Sequence, residues 1–280
     1  MIFEALAFIT SFTNALGSVF IVKGMRGSSP TVAAFYSVLT QATILTGLLL
    51  TRLPSLNLTA IALFALGGLL SLGLGRLFYF VAMGRMGVAK ASAVIGSSPV
   101  FATLLSILIL SEPPAITTFL GAVTVAMGIV LISRAKGFKV EKVFLIGLIS
   151  TLSYALSNIV SKVGLRVEPD PFLSAQVGAV AGLLFFLIYM TLINQGSRAK
   201  IQKMNLLYFI VTGIFSSIGW LAMMEALKLG SVSIVTTIVY SYPLFALLLT
   251  RLLLKEERFG GREVVGSILV VTGVALVTLL

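Results

Sequence analysis

The chain of 280 residues contains no cysteine and no histidine, and only 10% of its residues carry charge. Without cysteine there is no disulfide, no thiol chemistry and no thiolate-held metal, and without histidine the commonest general base and metal ligand is missing. Enzyme chemistry is thereby disfavoured, and neither a metal nor a cofactor is expected. A soluble domain carries roughly 25% charged residues. The shortage of charge, with 58% hydrophobic residues and a mean hydropathy of +1.11, points to an all-α integral membrane protein.

A bilayer span needs about 20 apolar residues in a helix, because lipid offers the backbone no partners. Ten runs meet that description: Phe3 to Val22, Thr31 to Thr51, Leu58 to Met83, Val88 to Leu110, Ala115 to Ser133, Val143 to Val163, Phe172 to Asn194, Leu206 to Leu229, Val232 to Leu254 and Glu263 to Leu280. The joints carry breakers and charges, as in Glu112-Pro113-Pro114 and Glu168-Pro169-Asp170-Pro171. The amino terminus lacks the features of a cleaved signal peptide, so the first run is expected to remain as a helix.

The net charge of +11 lies at the ends of the runs and forms no single patch, which argues against a nucleic-acid partner. Fifteen of the twenty Lys and Arg residues fall in odd-numbered loops and four in even-numbered ones. The positive-inside rule makes the odd loops cytoplasmic and places both termini outside a cell inner membrane. These basic residues serve as topology signals and contacts to membrane lipids. Arg76 alone belongs to no loop.

Two peptides are nearly the same sequence: Ser97-Ser-Pro99-Val-Phe-Ala, closed by Glu112, and Ser241-Tyr-Pro243-Leu-Phe-Ala, closed by Glu256. Both the prolines and the glutamates are 144 positions apart. At nearly the same offset Gly75 meets Gly219, and Gly121 and Gly128 meet Gly266 and Gly273. The chain therefore divides into residues 1–138 and 139–280, each a five-helix unit. Five is odd, so the second unit enters the membrane inverted, giving ten transmembrane helices as two inverted five-helix repeats.

These repeated motifs, with the span count, resemble the drug/metabolite transporter superfamily, and within it the ten-helix EamA-like branch. The resemblance implies a secondary transporter of small molecules working by alternating access. It implies export of amino-acid-like solutes, and it names no substrate, coupling ion or oligomeric state. Efflux of lipophilic cations is the alternative transport reading, and a lipid-handling or scaffold protein the alternative of another class.

In such a transporter the substrate site lies between the units near the midplane. Thr10, Asn14 and Ser18 recur every four residues in the first run, and 140 positions later come Ser150, Tyr154 and Asn158. This mirrored polar stripe either lines a cavity or makes interhelical hydrogen bonds. Arg76, beside Tyr79, either snorkels to the headgroups or points inward, where its fork of donors suits an anion. Its repeat mate is Trp220, and Gly96 is mirrored by Tyr240. The candidate substrate residues are thus Asn14, Arg76, Tyr79, Tyr154, Asn158, Trp220 and Tyr240. Tyr240 is favoured over Tyr242 because the two project differently from one helix. Pro99 and Pro243 are candidate hinges or gates. Glu225 is a candidate for coupling, with an ion pair to Lys228 as the competing explanation.

Overall fold

A computed structural model describes residues 2–52, 54, 57–86, 91, 94–113, 115–134, 142–192, 202–254 and 261–279. Glu256, which closes the second repeated peptide, and Val88, which begins the fourth run, lie outside the described residues. The described chain is helical: α1 (Ile2–Met25), α2 (Pro30–Leu49), α3 (Leu58–Gly68), a π-helical segment (Leu69–Gly75), α4 (Arg76–Met86), α5 (Ser98–Leu110), α6 (Ile116–Arg134), α7 (Lys142–Val167), α8 (Pro171–Leu192), α9 (Lys203–Leu229), α10 (Val232–Val239), α11 (Tyr242–Leu254) and α12 (Gly261–Leu279).

Among the described residues six spans are long and apolar enough to cross a bilayer, with α3, the π segment and α4 acting as one. Four shorter apolar helical stretches accompany them, over Ser98–Leu110, Ile116–Leu131, Val232–Ala246 and Val264–Val277. Several starts are written in the sequence. Ser29 accepts a bond from the Val32 N–H ahead of Pro30, and Asp170 accepts from Phe172 and Leu173 ahead of Pro171. Both are N-caps followed by proline at the first turn, where its missing N–H costs nothing.

The two proline-containing runs are not continuous helices. One breaks at Gly96-Ser97 and the other at Tyr240-Ser241, and helix resumes at Ser98 and Tyr242. Ser97 N–H bonds Val94 and Val100 N–H bonds Ser97; 144 residues on, Ser241 N–H bonds Ile238 and Leu244 N–H bonds Ser241. Each turn serine also donates its hydroxyl back to the same carbonyl, both at 2.6 Å. Pro99 is buried at the start of α5. Pro243 takes the matching place at the start of α11, and its side chain lies outside the described residues.

Packing follows the same correspondence. α1 lies against α9, and α7 lies against the composite third span. α2 packs on α8, α5 on α7, α11 on α1, and α6 on α12. The α6–α12 crossing is glycine-mediated and reciprocal. A Cβ at Gly121 would sit 2.7 Å from the Gly273 carbonyl oxygen, and one at Gly273 would sit 2.7 Å from that of Gly121. Small residues let backbones approach where lipid gives no hydrophobic drive to associate.

Gly121→Val or Gly273→Val is therefore expected to destabilise the protein by about 1–3 kcal/mol, the usual cost of overpacking. Gly47→Ala, where a Cβ meets nothing within 4 Å, should leave the melting temperature in detergent unchanged or raised. Thermal unfolding of the three variants checks this.

Candidate functional site

A cavity with about 100 Å³ of free space lies between α1, the third span, α7, α9 and the α10–α11 break. All seven residues singled out in the sequence line it: Asn14, Arg76, Tyr79, Tyr154, Asn158, Trp220 and Tyr240. Thr10, Asn14, Gly17, Ser18 and Ile21 present one face of α1, as the four-residue spacing requires. The mirrored stripe on α7 divides. Tyr154 and Asn158 reach the cavity, whereas Ser150 donates to the Gly75 carbonyl at 2.8 Å.

That serine bond bears on how Arg76 is held. In a π-helix each N–H reaches one residue further back than in an α-helix, so the widened turns displace carbonyls from their usual donors. Ser157 donates to the Gly67 carbonyl at 2.7 Å and Ser150 to that of Gly75, one at each end of the widened stretch. Gly75 has a further role. A Cβ there would come 3.3 Å from the Tyr154 ring, so glycine lets the ring lie against the helix.

Arg76 follows directly and is 8% exposed. Its guanidinium faces the Tyr154 hydroxyl, and its Nη1 is buried with no hydrogen-bond partner. The aromatic residues tie together around it. Tyr242 donates its hydroxyl to that of Tyr79 at 2.7 Å, and Asn158 Nδ2 donates to the Tyr240 hydroxyl at 3.4 Å. The Tyr154 and Tyr240 rings are 6.3 Å apart at 61°.

Tyr242 and Phe80 also line the cavity and were missed. A continuous helix would have sent Tyr242 away from Tyr240, and the break between them brings both inward. Proline cannot donate to the carbonyl four residues back, which belongs to Ile95 for Pro99 and to Val239 for Pro243. Both Ile95 and Val239 line the cavity. Glu225 is not among the lining residues. It is about one-third exposed and lies 3.9 Å from Lys228 Nζ.

At one end of the bundle helix ends are linked by hydrogen bonds from charged side chains. Glu112, 9% exposed, accepts from the backbone N–H of Val232 at 2.7 Å, from that of Ser233 at 3.3 Å and from the Ser233 hydroxyl at 2.8 Å. Its carboxylate thus sits on the N-terminus of α10, where the helix dipole favours negative charge. Lys162 donates to the carbonyls of Leu227 and Gly230 at the C-terminus of α9, and Arg166 to that of Leu110. The cavity lining on α1 and α9 begins short of this end and continues toward Ile21 and Thr212.

A helical membrane protein of apolar spans, with a polar and aromatic cavity between them, is built as a carrier of small molecules is built. The EamA-like transporter family matches residues 1–134 and again 142–279. The chain belongs to that family, and so to the drug/metabolite transporter superfamily. It is also similar to an uncharacterized transporter of Archaeoglobus fulgidus, 25% identical over 259 residues that cover 92% of this chain and 91% of the relative. A crystal structure described only as that of a protein shares the fold at a TM-score of 0.78, with 19% identity and 98% of both chains covered.

Arg76→Met should leave the melting temperature unchanged or raise it, since an apolar side chain of similar volume removes an unpaired buried charge; such replacements are neutral or stabilising by about 1–4 kcal/mol. A fall of several degrees would instead mark Arg76 as a structural residue.

Proposed function

We propose that the protein is a secondary transporter that moves small metabolites across the cell inner membrane by alternating access, in the export direction. Its substrate occupies the cavity around Arg76. There Tyr79, Tyr154, Trp220 and Tyr240 form the walls, and Asn14 and Asn158 supply hydrogen bonds. The observation that carries this reading is the buried Arg76 Nη1 left without a partner beside free space. Buried charges inside membrane spans are costly and are kept for function.

In this reading residues 1–138 and 139–280 are the two inverted units, and both termini face outward. The reading draws support from the two stretches matched by the family, the identical turns before Pro99 and Pro243, and the reciprocal helix pairs. The breaks give each unit a pivot, since a discontinuous span can tilt at its turn without breaking regular helix. The Glu112–Lys162 closure then lies on the outer side and must open for release. A coupling role for Glu225 would act from outside the cavity, through its pair with Lys228.

Proteoliposome flux with a panel of amino acids and organic acids tests the reading. At least one compound should move, and Ser216→Phe, which fills the cavity, should abolish its flux while keeping the melting temperature. If no compound moves above that control, the transport reading fails. The closure is tested separately, because the native chain has no cysteine. In a Val239→Cys background, Glu112→Gln should raise labelling by an impermeant maleimide from the outer face severalfold. Unchanged labelling would remove Glu112 from the gate.

A further inference from the structure

We propose, resting on the transport reading of this cavity, that the substrate is a small organic monoanion: a carboxylate on a flat apolar body, with no amino group. The argument begins from charge balance. Among the described residues lining the cavity, Arg76 is the one with a full charge, and neither aspartate nor glutamate is present. A monoanion brings the occupied cavity to neutrality. A zwitterionic amino acid leaves one positive charge uncompensated and holds its ammonium close to the guanidinium, where weak screening makes like charges repel.

The neutral polar groups, Asn14 and Asn158 among them, can accept a hydrogen bond from an ammonium but carry no negative charge to offset it. Glu225 is committed to Lys228 outside the cavity. The Tyr79 and Tyr242 hydroxyls are bonded to each other, and the Tyr240 hydroxyl already accepts from Asn158. The ring faces of Tyr154 and Tyr240 would attract a cation, but only beside a buried Arg76 that repels it. For a carboxylate the same surroundings are favourable. The unpartnered Nη1 offers a donor in a planar fork matched to two carboxylate oxygens. The rings of Tyr154, Tyr240 and Trp220 offer flat walls for the rest of the molecule. A phosphate would bring a second negative charge, for which the described lining residues include no second cation.

The test uses Trp220, the single tryptophan of the chain and part of the cavity wall. Its fluorescence in the purified full-length protein is titrated with phenylpropionate, phenylalanine and phenethylamine, which share a ring and differ in charge. Phenylpropionate should saturate the change at a concentration at least about tenfold below that for phenylalanine, and phenethylamine should give no saturable change. In Arg76→Met the difference between phenylpropionate and phenylalanine should vanish. Equal or tighter binding of phenylalanine, saturable binding of phenethylamine, or no response to any of the three overturns the proposal. Flux of some other compound that Ser216→Phe blocks would, in each of those cases, leave the transport reading standing.

Discussion

A backbone carbonyl inside a bilayer has no water to bond, so its partner must come from the protein. That demand organises the chain. Most of the backbone meets it by staying in α-helix, and the departures are few and supervised. Where the third span widens into a π-helix, serines of α7 bond the carbonyls of Gly67 and Gly75. Where Gly96-Ser97 and Tyr240-Ser241 interrupt a span, the turn serine bonds back to the carbonyl three residues before it. The cavity lies among these departures, with Leu72 and Arg76 from the widened span and Ile95, Val239 and Tyr240 from the broken ones. The polar cavity is bordered by the places where regular helix has been given up, while α1, α7 and α9 supply most of its polar side chains.

The scaffold repeats and its contents do not. Gly96 and Tyr240 occupy matching turns, yet a Cβ at Gly96 would come 2.4 Å from Ile129 Cδ1. The position mirrored by an aromatic wall is therefore a packed helix contact that has no room for a ring. Arg76 and Trp220 likewise hold matching positions, and both face the cavity. A duplicated frame has thus been filled with one cation and one aromatic surface, which gives the cavity a direction that the frame lacks.

Much of this was legible because apolar sequence makes exceptions conspicuous. Asn14, Tyr154 and Asn158 stood out by helical spacing, and Arg76 stood out as a charge inside a span. Tyr242 did not, because its inward course depends on the turn at Tyr240-Ser241. The clue was present in the doubled Ser-X-Pro peptide, which marks a break as readily as a bend. The π segment left no sequence signal, since small residues such as Ser71 and Gly75 suit close helix packing as well as widened turns. Lys162 was counted as a topology charge, and its bonds to Leu227 and Gly230 join residues too far apart in sequence for any local pattern to reveal.

The closure at Glu112 has a consequence for how such proteins diverge. Two of the three bonds that its carboxylate accepts come from main-chain N–H groups at Val232 and Ser233. Every amino acid except proline carries that donor. The side chain at 232 is therefore set by its burial in the core and not by Glu112, while at 233 the serine hydroxyl adds the third bond. A contact made to main-chain N–H groups does not itself require correlated substitution of the two residues that make it.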